Sequence, residues 1–504
     1  MLASIATFAI EGVGSREVTV EVDVRRGLPT FTLVGLADRA IRESRERVRA
    51  AVLNSGLEYP MKRLTVNLAP AHLHKAGPSF DLAIAVGLLA ASGQVPMDTL
   101  GRCAVSGELS LTGALRPGRG ALAAALGARD AGYARLIVPS ENAAEAALVK
   151  GIEVLPVPSL GRIADLFHDR WRPRRARRRR ARPAAPRNGL DLADVRGQDD
   201  AKRALEIAAA GGHNLLMVGP PGTGKTMLAR RLPGILPPPT FDEALEITRV
   251  QSVAGLGSGT LAAERPFRSP HHTISAQGLV GGGATPLPGE VTLAHRGVLF
   301  LDELPEFART SLDALRQPLE EGRIEITRGQ RTIDYPARAT VVGACNPCPC
   351  ARGSACRCDA LALGRYARKM SGPLLDRIDI ICEVRAVPPL ELVREDVIGE
   401  RSAKVRERVV AARERQGRRL KGASAVCNGD MDGRMTRELV TVDPAVRPRL
   451  LAASDRELIT GRGYDRVLKV AQTIADLEDV PAVRGSHVDE ALGYRLGGSI
   501  LAAA

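Results

Sequence analysis

Residues 214–230 read NLLMVGPPGTGKTMLAR, an apolar run, then a glycine-rich turn, then the start of a helical pattern. No other stretch restricts the fold as much. Gly219, Pro220, Pro221, Gly222, Thr223, Gly224, Lys225 and Thr226 match G-x-x-x-x-G-K-[ST] in the setting that motif requires, after a strand and before a helix. The glycines let backbone N–H groups face phosphates at a helix N-terminus. Lys225 adds a point charge at the β and γ oxygens, and the Thr226 hydroxyl suits Mg²⁺. The expected fold class is therefore α/β, with a parallel sheet between helices carrying a nucleoside triphosphate at this loop.

A second apolar strand, GVLFLDEL, ends on Asp302 and Glu303. Alone, an acidic pair after a hydrophobic strand reads equally as a solvated turn. Paired with the phosphate loop it suits hydrolysis: Asp302 reaches Mg²⁺ and Glu303 orients or deprotonates the attacking water.

A chain of 504 residues is too long for one core, so several domains are expected. The N-terminus lacks the basic segment of a secretory signal, and the longest apolar run, near Leu82 to Ser92, falls short of the ~20 residues that span a bilayer. A cytoplasmic protein without membrane contact is the expectation. The formal charge is +14, but ten arginines lie between Arg170 and Arg187 with no acid among them. This proline-containing tract reads as an exposed linker, either a solvated spacer or an arm that touches nucleic-acid phosphates. It divides an α/β domain at 1–168 from the phosphate-loop domain at 190–392, with the linker at 169–189. Helical periodicity after Val393 predicts a closing helical domain at 393–504.

Five further segments, RPFRSPHHTISAQGLVGGG, PGEVTLAHRGVLFLDELPEF, NPCPC, SGPLLDRID and GYDRVLKVAQTIADL, stand in a fixed order. With the phosphate loop they resemble the AAA+ ATPases of the magnesium-chelatase-like group, and within it the ComM/YifB family, nearly end to end. The resemblance implies ATP and Mg²⁺ as the bound groups and a hexameric ring of identical subunits. It implies that Asn346 senses the γ-phosphate, that Arg377 is an arginine finger offered to a neighbour's ATP, and that Arg462 is a second sensor. Spacing alone leaves Arg377 an equal alternative, an ion pair with Asp376 or Asp379. The resemblance also implies a task, branch migration of DNA during integration of incoming strands, with recombination proteins as partners.

EEGRIEITRGQRTIDYP reads as a β-hairpin placing Arg323, Arg328 and Arg331 where such motors contact single-stranded or branched DNA; its alternative is a solvated hairpin. Aromatics make up only 3%, so phosphate tracking is expected over base stacking. Two other functions stay open. A protein-remodelling ATPase would use the amino-terminal domain as an adaptor. A chelatase subunit would normally carry D-x-S-x-S, which this chain lacks.

Cys348, Cys350, Cys356 and Cys358 form C-x-C-x5-C-x-C. Four paired thiols suit a tetrahedral Zn²⁺ site; reduced loop cysteines and a redox switch are the alternatives. The adjacent His271 and His272 read as hydrogen-bonding residues rather than metal ligands. HKAGPSFDLAIAVGLLA resembles the nucleophile segment of Lon-type proteases at Ser79, within a Lon-like (S5 domain 2-like) amino-terminal domain. The corresponding later lysine position falls near Leu122, so a fold without proteolysis is expected.

Overall fold

The computed structural model describes residues 1–35, 41, 43–71, 73, 75, 77–98, 100–176, 189–283, 286–328, 331–352, 356–370, 372–388, 399–446, 448–449 and 461–496. Most of the arginine tract, 177–188, lies outside them, as do 389–398 and 497–504.

Valines alternating along Gly14–Arg25 put Val18, Val20, Val22 and Val24 on one buried face, as strand periodicity demands. This strand pairs antiparallel with Leu2–Glu11, and both join a seven-stranded sheet. Its order is Thr30–Val34, Arg63–Ala69, Gly14–Arg25, Leu2–Glu11, Cys103–Val105, Arg135–Pro139, Glu153–Val157. The helix Asp81–Ala91 is buried at every position and, beyond Asp81 with its Arg47 partner, is apolar around its circumference. It lies so close to the sheet that a Cβ on Gly87 would come within 2.7 Å of Val22. A further helix of this unit runs from Ser44 to Asn54.

The second sheet has five strands, all parallel, in the order Phe267–Arg268, Val298–Leu301, Thr340–Cys345, Leu215–Val218, Ile380–Glu383. Near-continuous apolar runs such as LLMV and VLFL suit strands covered on both faces. The register places Val218 beside both Cys345 and Glu383, and Leu301 beside Gly343. The residues that follow these strands, Gly219, Asp302 and Asn346, therefore gather at one carboxyl edge, where open α/β sheets bind ligands.

Helices Ser402–Arg419, Gly433–Leu439, Gly461–Leu477 and Gly485–Leu496 close the chain. Polar groups lock them to the helix Asp199–Gly211: Gln416 donates to the Ala210 carbonyl at 3.1 Å and Arg413 to that of Ala209 at 3.0 Å. Buried Asp476 accepts both Arg419 and Asn428, so the ion pair is shared and satisfied. The amino-terminal unit rests on the helix Phe241–Ala254, with the Gly120 N–H donating to Ser252 O and Arg249 to Val13 O. Among the described residues, no helix is long and apolar enough to cross a membrane.

Candidate nucleotide site

The phosphate loop leaves its strand at Gly219, where a Cβ would collide with the Val384 carbonyl oxygen. Gly222 and Gly224 take φ of +77° and +92°, and the helix Lys225–Ile235 begins directly after them. Glycine is the residue that adopts this backbone without strain, so the loop curls back over the helix N-terminus. The Lys225 ammonium donates to the carbonyls of Gly219 at 2.6 Å and Pro220 at 2.8 Å, and to Asn346 Oδ1 at 3.3 Å. Burial lowers its pKa below the ordinary lysine value. An anion in the loop would give this charge a stronger partner than neutral carbonyls do.

Across the loop, the Thr226 hydroxyl donates to Asp302 Oδ2 at 2.8 Å. A hydroxyl and a carboxylate converging in this way are hard oxygen donors that fit Mg²⁺. Asp302 Oδ1 accepts the Glu303 N–H at 3.0 Å. Glu303 holds the left-handed conformation, φ 53° and ψ 46°, a strained state for a side chain with a Cβ. Its carboxylate meets His272 Nδ1 at 3.4 Å, while His272 stacks on His271 with ring centroids 4.1 Å apart and sets its edge against Phe307. Position along the chain alone assigns this histidine pair hydrogen bonding but no part in the site. Its signal was only its position, just after a short strand that neighbours the Asp302–Glu303 strand.

Asn346 follows the central strand Thr340–Cys345 and stands against Lys225, with its backbone carbonyl accepting the Tyr366 hydroxyl at 3.1 Å. Arg377 lies elsewhere. Its carbonyl accepts from the side chain of Asn214, the residue that opens the phosphate-loop strand, so it sits at the amino edge of the sheet and Lys225 at the carboxyl edge. Arg377, 11% exposed, pairs with Glu320, whereas Asp376 pairs with Arg495 and Asp379 with Arg466. Those last two arginines arrive from the carboxy-terminal helices, which local spacing cannot reveal.

Around Arg377 a cavity of about 350 Å³ is lined by Arg265, Arg296, Arg413, Arg466 and Lys469, opposed by Glu243, Glu320 and Asp430. Arg462 belongs to the helix Gly461–Leu477, and its side chain lies outside the described residues. One turn later, Arg466 reaches the Ile378 carbonyl, which places this part of the helix at the Arg377 edge and away from the chain's own phosphate loop.

The expected hairpin is present, pairing Arg323–Arg328 with Arg331–Pro336. Arg323 stands at its base in ion pairs with Glu321 and Glu325. Arg328 faces Arg331 in register at the turn end; their side chains lie outside the described residues. The buried Tyr335 anchors the hairpin by donating to Pro286 O at 2.9 Å. All four sulfurs of Cys348, Cys350, Cys356 and Cys358 lie within 4.8 Å of one another. Cys103, Cys345, Cys382 and Cys427 are buried singly. In the amino-terminal unit, Ser79 lies in the turn Pro78–Phe80. Lys75 is fully buried with its ammonium on the Pro70 carbonyl, and Leu122 is packed among aliphatic side chains.

Three family models match the chain: "Magnesium chelatase, subunit ChlI" over residues 191–392, "Subunit ChlI of Mg-chelatase" over 20–142, and "Magnesium chelatase, subunit ChlI C-terminal" over 399–495. YifB of Salmonella typhimurium is 44% identical over 497 residues, 98% of this chain and 97% of its own. The competence protein ComM of Haemophilus influenzae is 43% identical over 507 residues, covering 98% and 97% of the two chains. The DNA replication licensing factor Mcm2 of Drosophila melanogaster is 26% identical over 213 residues, 38% of this chain and 20% of its own. A phosphate loop, an acidic strand end and an apposed asparagine on a five-stranded parallel sheet agree with these matches: the chain belongs to the ComM/YifB family of magnesium-chelatase-like AAA+ proteins.

Proposed function

We propose that this protein is a ring-forming ATPase that moves on DNA and promotes branch migration during recombination of incoming strands. The observation that carries the reading is the separation of Lys225 and Arg377 to opposite edges of one parallel sheet. A site with its loop at one edge and its arginine at the other is completed by a second copy, and repetition of that head-to-tail contact closes a ring. A hexamer is the expected closure. The division into 1–168, 169–189, 190–392 and 393–504 belongs to the same reading.

Within one site, Lys225 and the loop N–H groups hold the β- and γ-phosphates. Thr226 and Asp302 would hold Mg²⁺, which when bound would supply charge neutralisation at those oxygens. Glu303 accepts a proton from water as the water oxygen bonds to the γ-phosphorus; the bond to the bridging oxygen breaks, leaving ADP and phosphate. Asn346, already in contact with Lys225, orients the γ-phosphate. The neighbour's Arg377 leaves Glu320 to neutralise the charge that develops, with Arg462 approaching from the same edge.

Names borne by relatives favour DNA as the substrate: ComM is a competence protein and Mcm2 a DNA replication factor. The hairpin supplies Arg323, Arg328 and Arg331 for salt-dependent phosphate contacts. A cytoplasmic location and recombination proteins as partners go with this task. The second reading, protein remodelling, draws on the amino-terminal unit resting on the helix Phe241–Ala254, which follows the phosphate-loop helix.

ATP turnover measured with no DNA, single strands, duplex and a four-way junction separates the readings. Junction DNA is expected to raise turnover several-fold, with Lys225→Ala abolishing it. Lysine-dependent turnover indifferent to every DNA would overturn the DNA reading in favour of remodelling.

A further inference from the structure

Four cysteines in eleven residues lie between Asn346 and the helix Ala360–Lys369. Cys348 and Cys350 follow the sensor asparagine; Cys356 and Cys358 lead into the helix, whose first turn is capped by Asp359 accepting the Ala362 N–H at 2.6 Å. Their sulfurs converge. Cys348 lies 3.4 Å from Cys350, Cys350 lies 3.6 Å from Cys356, and all four fall within 4.8 Å of one another. A disulfide would need about 2.05 Å, so none of the measured pairs is bonded. Four sulfurs around one ion at the usual zinc–thiolate bond length stand about 3.8 Å apart, the edge of a tetrahedron, close to the 3.4 and 3.6 Å separations and inside the 4.8 Å limit. An iron–sulfur cluster ligates its cysteines through separate irons and holds their sulfurs further apart.

We propose that Cys348, Cys350, Cys356 and Cys358 bind one Zn²⁺ in a closed, all-thiolate structural site that fixes the turn carrying Asn346 to the helix Ala360–Lys369. The segment NPCPCARGSACRCD contains no aliphatic or aromatic residue larger than proline, so it has little hydrophobic means of holding its shape. Metal ligation replaces that missing core. Two contacts carry the constraint onward: Tyr366 of the helix donates to the Asn346 carbonyl, and Lys369 pairs with Glu306 just beyond the Asp302–Glu303 strand. The ion thus sets the position of a residue that touches Lys225, without itself touching nucleotide. The inference stands on the sulfur geometry and is independent of the DNA reading.

The test is metal content of the full chain purified without added metal, by mass spectrometry of the elements, for the wild type and the Cys356→Ser/Cys358→Ser double variant. One zinc per chain is expected in the wild type and a loss of at least tenfold in the variant. Because the variant can fail to fold, a second measurement uses wild-type protein only: exchange with Co²⁺ should produce sulfur-to-cobalt charge-transfer bands and tetrahedral d–d bands. Four freely reactive thiols with no zinc would overturn the proposal. So would two disulfides in the isolated protein, or stoichiometric iron in place of zinc.

Discussion

At Glu303 the backbone bears a cost that the side chain explains. Its left-handed φ of 53° is unfavourable for any residue with a Cβ, yet it turns the carboxylate from the strand end towards His272 and leaves its N–H on Asp302. Glu303→Gly should therefore raise the unfolding free energy by about 1 kcal/mol, read by denaturant titration, while ATP turnover is lost. Under the proposed mechanism, His272 would act through Glu303 as a positioning residue. His272→Ala is expected to lower kcat by roughly 10- to 100-fold with little change in KM, because a misplaced acid slows the chemical step and leaves binding intact. His272→Asn, whose amide nitrogen can stand near the place of Nδ1, should restore part of the loss; equal loss in both variants would reduce His272 to a packing residue. The places of Lys225, Thr226, Asp302 and Glu303 at strand ends and a helix start were legible from sequence because each is fixed by its neighbours along the chain. His272 was not, because its partner lies 31 residues later on another strand.

Among the elements, the helix Phe241–Ala254 joins the two sheets. One side takes the amino-terminal unit, and Glu246 on it accepts His295 at 2.9 Å and Arg296 at 2.7 Å. The His295 hydrogen bond and the Arg296 charge hold the Glu246 carboxyl down at about 2. Burial lowers the His295 pKa, and its Nδ1 accepts the Arg338 N–H, so Nε2 of a neutral ring donates to the glutamate. With the folded pKa below the unfolded value, this contribution is present above about pH 4.5 and fades as pH falls towards 2. Glu246→Gln should thus lower Tm at pH 7, and the difference from wild type should shrink below about pH 4.5; an unchanged difference would deny the ion pair its role. The hairpin expected in EEGRIEITRGQRTIDYP is present as the pair Arg323–Arg328 and Arg331–Pro336, since strand period is a local property. Its basic end makes a separate prediction. Arg328→Ala with Arg331→Ala should weaken DNA binding and reduce the slope of log affinity against log salt by about 1 to 2.

Across the whole molecule, the parallel sheet decides what one chain can do alone. Gly219, Asp302 and Asn346 meet because their strands end together, an arrangement that apolar strand runs and the phosphate loop foretell. The amino edge was less legible. Arg377 pairs with Glu320, and Asp376 and Asp379 are taken by Arg495 and Arg466 from helices about a hundred residues further on, contacts that only the folded chain brings together. That edge is the one the account requires a second copy to present. The most direct test mixes two inactive variants, Lys225→Ala and Arg377→Ala, and follows ATP turnover. Each alone should be inactive or slowed by roughly 10³ or more. If neighbours complete each other's sites, mixing in equal amounts should join an intact loop to an intact arginine at about a quarter of the interfaces, and turnover should recover to that order. No recovery in rings shown to contain both variants would contradict the account.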